Sequence, residues 1–210
     1  RTQAEFEELI ASPTWLGATS VALVGQFTLS TANNSGIKIP ATVKQIHGFN
    51  SAKITITNFL YNSSTAKGGL WYDTLPTTLD YSIRDLEVDC TGTGSFGYGF
   101  SRCTNLTNCT ATGTGNTGYG FSRCTNLTNC TGTGTGLGTT GGYGFIACTN
   151  LTNCTGTGTG NVEGYGFYAC EYASNCRDGG SSRKMWGGDN KNINVETCRK
   201  TPVEADNTEL

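Results

Sequence analysis

Between Tyr98 and Cys176 apolar and polar positions recur in one order four times. Tyr-Gly-Phe is followed by two residues, a Cys, a five-residue run that reads Thr-Asn-Leu-Thr-Asn in its fullest form, a second Cys, and a Thr-Gly alternation. The first Cys stands at Cys103, Cys124, Cys148 and Cys170, in steps of 21, 24 and 22 residues; the second stands at Cys109, Cys130, Cys154 and Cys176 in the same steps. A steady period whose insertions fall only after the Thr-Gly run is the pattern of a solenoid, with coils that stack and lengthen at one corner.

Within a coil Phe100, Cys103, Leu106 and Cys109 are three apart, a spacing that fits neither a straight strand nor a long helix. It predicts short strands joined by bends, and Asn105 and Asn108 suit such bends because Asn tolerates left-handed dihedrals. After Cys109 the period becomes two. With Cys109 inward, Ala111, Gly113 and Gly115 point inward, and Thr110, Thr112 and Thr114 point outward. Gly132 replaces Ala111 in the next coil, so the inward slot there is expected to be tight. Burying the Phe or the Leu contributes about 1.5–3 kcal/mol each, whereas ordering a whole coil costs about an order of magnitude more. A single coil cannot stand alone, and the repeat has to come in series.

Outside the repeat, Thr2-Gln-Ala-Glu5 has capping-box spacing, with Phe6, Leu9 and Ile10 on one helical face. A short helix there would cover the open end of a solenoid. Segments 20–24, 26–29, 37–39, 43–46 and 53–59 read as strands of earlier, less regular coils. The clearest strand is 83–90, where Leu86, Val88 and Cys90 alternate with Asp85, Glu87 and Asp89. The expected organisation is a cap helix and lead-in at 1–16, irregular coils at 17–90, regular coils at 91–180, and a C-terminal cap and polar tail at 181–210.

Charged residues make up only 14% of the chain and the net charge is -2, so no basic face is available for nucleic acid. No apolar run reaches the roughly 18 residues needed for membrane insertion as a helix. Of the ten Cys, eight fill the two repeating slots, which predicts columns of buried thiols about 4.8 Å apart. A disulfide framework is the alternative. A single His47 and the lack of a close Cys-x-x-Cys pair argue against a metal centre. Cys90 and Cys198 stand outside the four-fold set.

Three groups of side chains carry candidate chemistry. Asp85, Glu87 and Asp89 form a carboxylate cluster on one predicted strand face, suited to calcium or to acid–base cleavage of a glycan, or simply to solvent. Trp71 and Tyr72, in an irregular excursion, are candidate glycan-binding rings, because loops leaving a rigid scaffold often carry binding groups. The repeated Tyr98, Tyr119, Tyr143 and Tyr165 read either as a sugar-stacking stripe or as internal packing. The most unusual surface is an array of Thr110, Thr112, Thr114, Thr131, Thr133, Thr135, Thr155, Thr157 and Thr159, begun by Thr91 and Thr93. If its strands stack in register, the array forms a lattice with spacings of about 4.8 and 7 Å.

The three-residue spacing of Phe100, Cys103, Leu106 and Cys109 resembles the leucine-rich repeat of bacterial surface antigens. The wider pattern, with Ala52-Lys-Ile-Thr-Ile-Thr-Asn58, Ile83-Arg-Asp-Leu-Glu-Val-Asp-Cys90 and Gly97-Tyr-Gly-Phe100, looks more like the right-handed parallel β-helix of the pectate-lyase type. Glycine-rich coils of that kind occur in phage tail fibres, tailspikes and secreted bacterial surface proteins. The resemblance implies an all-β, right-handed parallel β-helix with coils of about 21–24 residues and a short N-terminal capping helix. It supplies no catalytic motif and no cofactor, calcium being the one ion considered. The expected function is structural and adhesive. The chain would be a shaft module of a virion tail or cell-surface appendage, assembled as a homotrimer or larger and meeting a host glycan. An ice-binding Thr face is the alternative, since the Thr lattice resembles that of Thr-rich antifreeze solenoids. A polysaccharide lyase or hydrolase is the third reading.

Overall fold

The chain forms a parallel β-solenoid of about six turns. Its computed structural model describes residues 3–32, 34–60, 68–78, 80–92, 96–138, 141–160, 164–179, 184–188, 191–193 and 198. Thr93, the side chain of Phe6 and most of the expected C-terminal cap lie outside the described set. Helices α1 (Gln3–Ala11) and α2 (Pro13–Gly17) precede the first strand. Leu9 and Ile10 of α1 pack on the core, as a cap requires. Helix α2 is an addition to the expected single cap helix. It starts where Ser12 accepts a hydrogen bond from the Trp15 amide at 3.2 Å and Pro13 opens the first turn.

Three stacks of parallel strands enclose the core. An Asn-Leu face contains Ser82–Arg84, Thr104–Thr107, Thr125–Thr128, Thr149–Thr152, Glu171–Ser174 and Lys191–Ile193. A Thr-Gly face contains Glu87–Gly92, Thr110–Gly115, Thr131–Gly136, Thr155–Gly160 and Arg177–Asp178. The two long strands Ser20–Leu29 and Gln45–Phe59 run around the corner between these faces and join them into one 13-stranded sheet. The third face is aromatic: Ile37–Lys38, Leu70–Trp71, Phe96–Ser101, Thr117–Ser122, Gly142–Ile146, Gly164–Tyr168 and Lys184–Gly187. Identical residues pair across coils, as in Leu106, Leu127 and Leu151, or Phe100, Phe121 and Phe145.

The bends are left-handed residues. Arg102, Asn105 and Asn108 have φ of 53, 52 and 53°, and the pattern repeats at Arg123, Asn126 and Asn129, then at Ala147, Asn150 and Asn153. Each one rotates the chain so that the next inward residue comes after three positions rather than two, and Phe100, Cys103, Leu106 and Cys109 are all buried. The Asn amides bond along the axis: Asn126 Nδ2 donates to Asn105 Oδ1 at 2.8 Å, Asn150 Nδ2 to Asn126 Oδ1 at 2.8 Å, and Asn129 Nδ2 to Asn108 Oδ1 at 3.3 Å. The expected strand at 83–90 is divided by the same device. Asp85, at φ 54°, ends Ser82–Arg84, and the chain resumes extended at Glu87. Leu86, Val88 and Cys90 are buried as the alternation required.

The solenoid is thin along one side. A Cβ added to Gly134 would lie 2.3 Å from both the Tyr143 nitrogen and oxygen, so the Thr-Gly and aromatic faces meet backbone to backbone there. The tight slot expected at Gly132 is real: a Cβ there would lie 2.5 Å from the Gly144 oxygen. Away from this edge the core is filled by Phe, Leu and Cys columns. Successive Phe rings stack at 5.3, 4.9 and 5.0 Å within 7° of parallel, and Trp186 extends the stack at 4.8 Å.

These contacts predict unequal tolerance at neighbouring positions. Gly134→Ala overpacks a backbone contact and should cost at least about 1–3 kcal/mol. Thr133→Ala, one residue away and facing out, should stay within about 0.5–1 kcal/mol. Leu127→Asp places a charge in a fully buried column and should be worse than either, at about 3–5 kcal/mol. Thermal melts of the three variants against the parent check the ranking, and equal melting of Gly134→Ala and Thr133→Ala would contradict the thin edge.

Candidate functional site

The three expected carboxylates do not share a face. Asp85 sits at a corner, where Oδ2 is 2.9 Å from His47 Nε2 and Oδ1 accepts from Asn108 Nδ2 at 2.9 Å. Glu87 and Asp89 remain neighbours on the Thr-Gly face, and both pair with Lys53 of the preceding coil, Glu87 at 2.8 Å. An ammonium thus occupies the place that a calcium ion would take between them. Hydrogen bonds from Lys53 to Asp89 and then to Glu87 hold its pKa above the ordinary 10.5. Among the described residues no group of three or more His, Cys, Asp or Glu is arranged to hold a metal.

Trp71 and Tyr72 are 2% and 3% exposed, so neither offers a ring face to a sugar. The excursion that carries them returns to the solenoid: Leu70–Trp71 lies in the aromatic sheet between Ile37–Lys38 and Phe96–Ser101. Lys38 covers the Trp71 ring at 5.8 Å, and the Tyr72 hydroxyl donates to the Val43 carbonyl at 2.9 Å. Both are structural residues. Burial pushes the Tyr72 phenol well above its ordinary pKa.

The Tyr column is neither of the two arrangements expected from sequence. Because the Tyr143 backbone abuts Gly134, its ring leaves on the outer side of the aromatic sheet. Tyr98, Tyr119, Tyr143 and Tyr165 then stack on one another at 4.8, 5.4 and 5.7 Å, with interplanar angles of 26, 18 and 11°. Tyr119 and Tyr143 are only 9% exposed. Their faces are taken up by each other, which leaves ring edges rather than a sugar-stacking surface.

The Thr array does assemble. Thr131, Thr133 and Thr135 pair in register with Thr110, Thr112 and Thr114 on one side and with Thr155, Thr157 and Thr159 on the other. Alternate Gly or Ala residues point into the molecule, so nine Thr stand outward in three rows and three columns. The lattice ends in charge. Glu87 and Asp89 continue two columns at one end, and Arg177 continues the first column at the other, where its Nε donates to Thr155 Oγ1 at 2.9 Å.

Sulfur forms the remaining concentrated chemistry. All ten Cys are free thiols, nine of them buried. Cys103, Cys124, Cys148 and Cys170 form one inward column and Cys109, Cys130, Cys154 and Cys176 another, each donating to a carbonyl of the neighbouring coil or its own. Cys198, outside the four-fold set in sequence, belongs to the second column. It donates to Ala173 O at 3.8 Å much as Cys176 donates to Leu151 O at 3.9 Å. Its step of 22 residues from Cys176 was the available signal. Burial raises the thiols of Cys124, Cys148 and Cys170 well above the ordinary 9.0 and that of Cys90 to about 12. Thiol-to-thiol hydrogen bonds along the column, followed by burial, raise Cys154 and Cys176 to about 12. Such thiols are neither nucleophiles nor metal ligands near neutral pH.

No family of known proteins, no curated protein and no solved structure matches this chain.

The thiol columns predict a native protein inert to a thiol-specific reagent at pH 8, except at the half-buried Cys198, and ten reactive thiols after denaturation. Several reacting in the native state would contradict their burial. The thiols of Cys90, Cys124, Cys148, Cys154, Cys170 and Cys176 titrate above the unfolded value of 9.0, so their contribution to stability is complete below pH 9 and is lost as pH rises toward 12. Denaturant midpoints measured from pH 8 to 11 should therefore fall.

Proposed function

We propose that the chain is a structural and adhesive shaft module of a phage tail fibre or related cell-surface appendage, acting at the virion tail or outside the cell. The observation that carries this reading is the fate of its chemically capable side chains. Thiols stack on thiols, aromatic rings on aromatic rings, Asn amides on Asn amides, and the two carboxylates of the Thr-Gly face share an ion pair with Lys53. These groups serve axial cohesion, which is what a rod under tension requires of them. An assembly of three or more such rods would multiply weak surface contacts with a host glycan. With Trp71 and Tyr72 buried, the polar ridge of Asn108, Asn129 and Asn153, all exposed, is the surface we assign to that contact.

A second reading rests on one observation, the in-register Thr lattice. It spans about 10 Å along the axis by three rows at strand spacing, and charged residues close both ends, so an ice-matching face would be small. Enzymatic cleavage of a polysaccharide finds less support, because Lys53 stands between the paired carboxylates that such chemistry needs and engages both.

Asn129→Gly tests the leading reading, since glycine keeps the left-handed backbone at φ 53° while removing the amide. Binding of the chain to bacterial cells or an array of bacterial glycans should weaken by about two- to tenfold, on the order of 1 kcal/mol, while the variant stays folded and melts only slightly below the parent, having lost one exposed bond to Asn108. No binding by the parent would overturn the adhesive part. Thermal hysteresis in the parent that Thr133→Tyr abolishes would establish the ice-binding reading instead.

A further inference from the structure

We infer that the Thr-Gly face docks against the same face of a second copy of this chain, antiparallel, about a two-fold axis that passes through the Thr131, Thr133 and Thr135 row. The inference concerns this face alone and does not depend on where the shaft is used.

Two observations carry it. The first is self-complementary chemistry: nine outward hydroxyls in register, each both a donor and an acceptor, can bond to a copy of themselves in either direction. The second is the placement of charge, which selects the direction. Only two two-fold arrangements bring this face onto itself. With the axis along the solenoid, the copies run parallel and the middle column faces itself, so Asp89 meets the partner's Asp89, like charge on like charge. With the axis along the strands, coil order reverses and each column faces itself. Glu87 and Arg177 continue the same column, through Thr110, Thr131 and Thr155, at equal distances of two coils from the Thr131 row. Reversal therefore sets Glu87 of each copy opposite Arg177 of the other, twice.

The charges are matched as groups. Lys53, Glu87 and Asp89 together carry -1, and Arg177 carries +1; it is exposed and has donors left beyond the one given to Thr155. Five rows at about 4.8 Å and three columns at about 7 Å, with their margins, cover roughly 500 Å² on each copy. The roughly 1,000 Å² buried in the pair lies at the lower limit for a specific interface, so the complex is a reversible one.

Sedimentation of the full chain over micromolar to millimolar concentration should show reversible dimerisation that weakens with salt. Arg177→Glu and Glu87→Arg should each weaken it by about tenfold or more, and an equimolar mixture of the two variants should dimerise again, because both cross-pairs then carry opposite charge. Geometry is read separately. Thr133→Cys should form a covalent dimer under mild oxidation and Thr112→Cys should not, with the parent as control for Cys198. A monomer at every concentration with no Thr133→Cys cross-link would overturn the inference, as would efficient cross-linking of Thr112→Cys, which reports the parallel arrangement. Melting curves of the charge variants separate lost docking from lost folding, and the cysteine experiment stands without them.

Discussion

Every feature of the regular coils depends on placing three left-handed residues at intervals of three along the Asn-Leu side. That region carries steric strain for most L-residues and less for Asn, so Asn105 and Asn108 enter it readily and the coil accepts the strain at Arg102 because the rotation fills the core. Each left-handed residue returns the next third side chain to the interior, so Phe100, Cys103, Leu106 and Cys109 occupy a core that a straight strand would half expose. The same rotations turn the Asn side chains onto one another and make a polar bond wherever an apolar column bends. Sequence, corner geometry and core therefore change together or not at all.

Stacking at one coil spacing then propagates the arrangement. A residue in a column meets its own kind above and below, which suits groups that pack flat or bond to themselves: Phe rings, Tyr rings, amides and thiols. Chain length is free to vary only where no column is interrupted. The longest step, 24 residues, takes its extra chain after Gly136. There Leu137 and Gly138 still donate to Gly115 and Asn116 of the coil below at 2.8 and 3.1 Å before the chain rejoins the aromatic sheet at Gly142.

Much of this was legible because repetition makes a fold visible. The period, the inward columns, the Thr register and the Asn bends at Asn105 and Asn108 all come from spacing. The features that were not legible depend on contacts between segments without a repeating partner. Arg102 and Ala147 carry no signal of left-handed geometry, since neither residue type prefers it; they are held there by the coils on either side. Trp71 and Tyr72 lie in a Gly-rich excursion that reads as a loop, yet two residues of it complete the aromatic sheet, and the ring becomes core. The cluster of Asp85, Glu87 and Asp89 looked continuous because alternation alone cannot show a corner between 85 and 87, nor that Lys53 stands beside two of its members.

The end of the regular run shows what limits such a stack. In the coil after Cys170 the repeat decays: Tyr172 stands in the Asn column and Ala173 in the Leu column of the Asn-Leu face, and Arg177-Asp178 stands where Thr-Gly is expected. Asp178 continues the inward column of Val88, Ala111, Gly132 and Gly156 and is 1% exposed. A carboxylate inside a core needs its own polar partners, and a further copy of the standard coil, which offers Gly and apolar residues at that level, would supply none. Uniform columns favour indefinite addition of coils, in the same chain or from another one. Asp178 breaks the small-residue column with a group that an identical coil cannot satisfy, whereas the Phe and second Cys columns run on to Trp186 and Cys198.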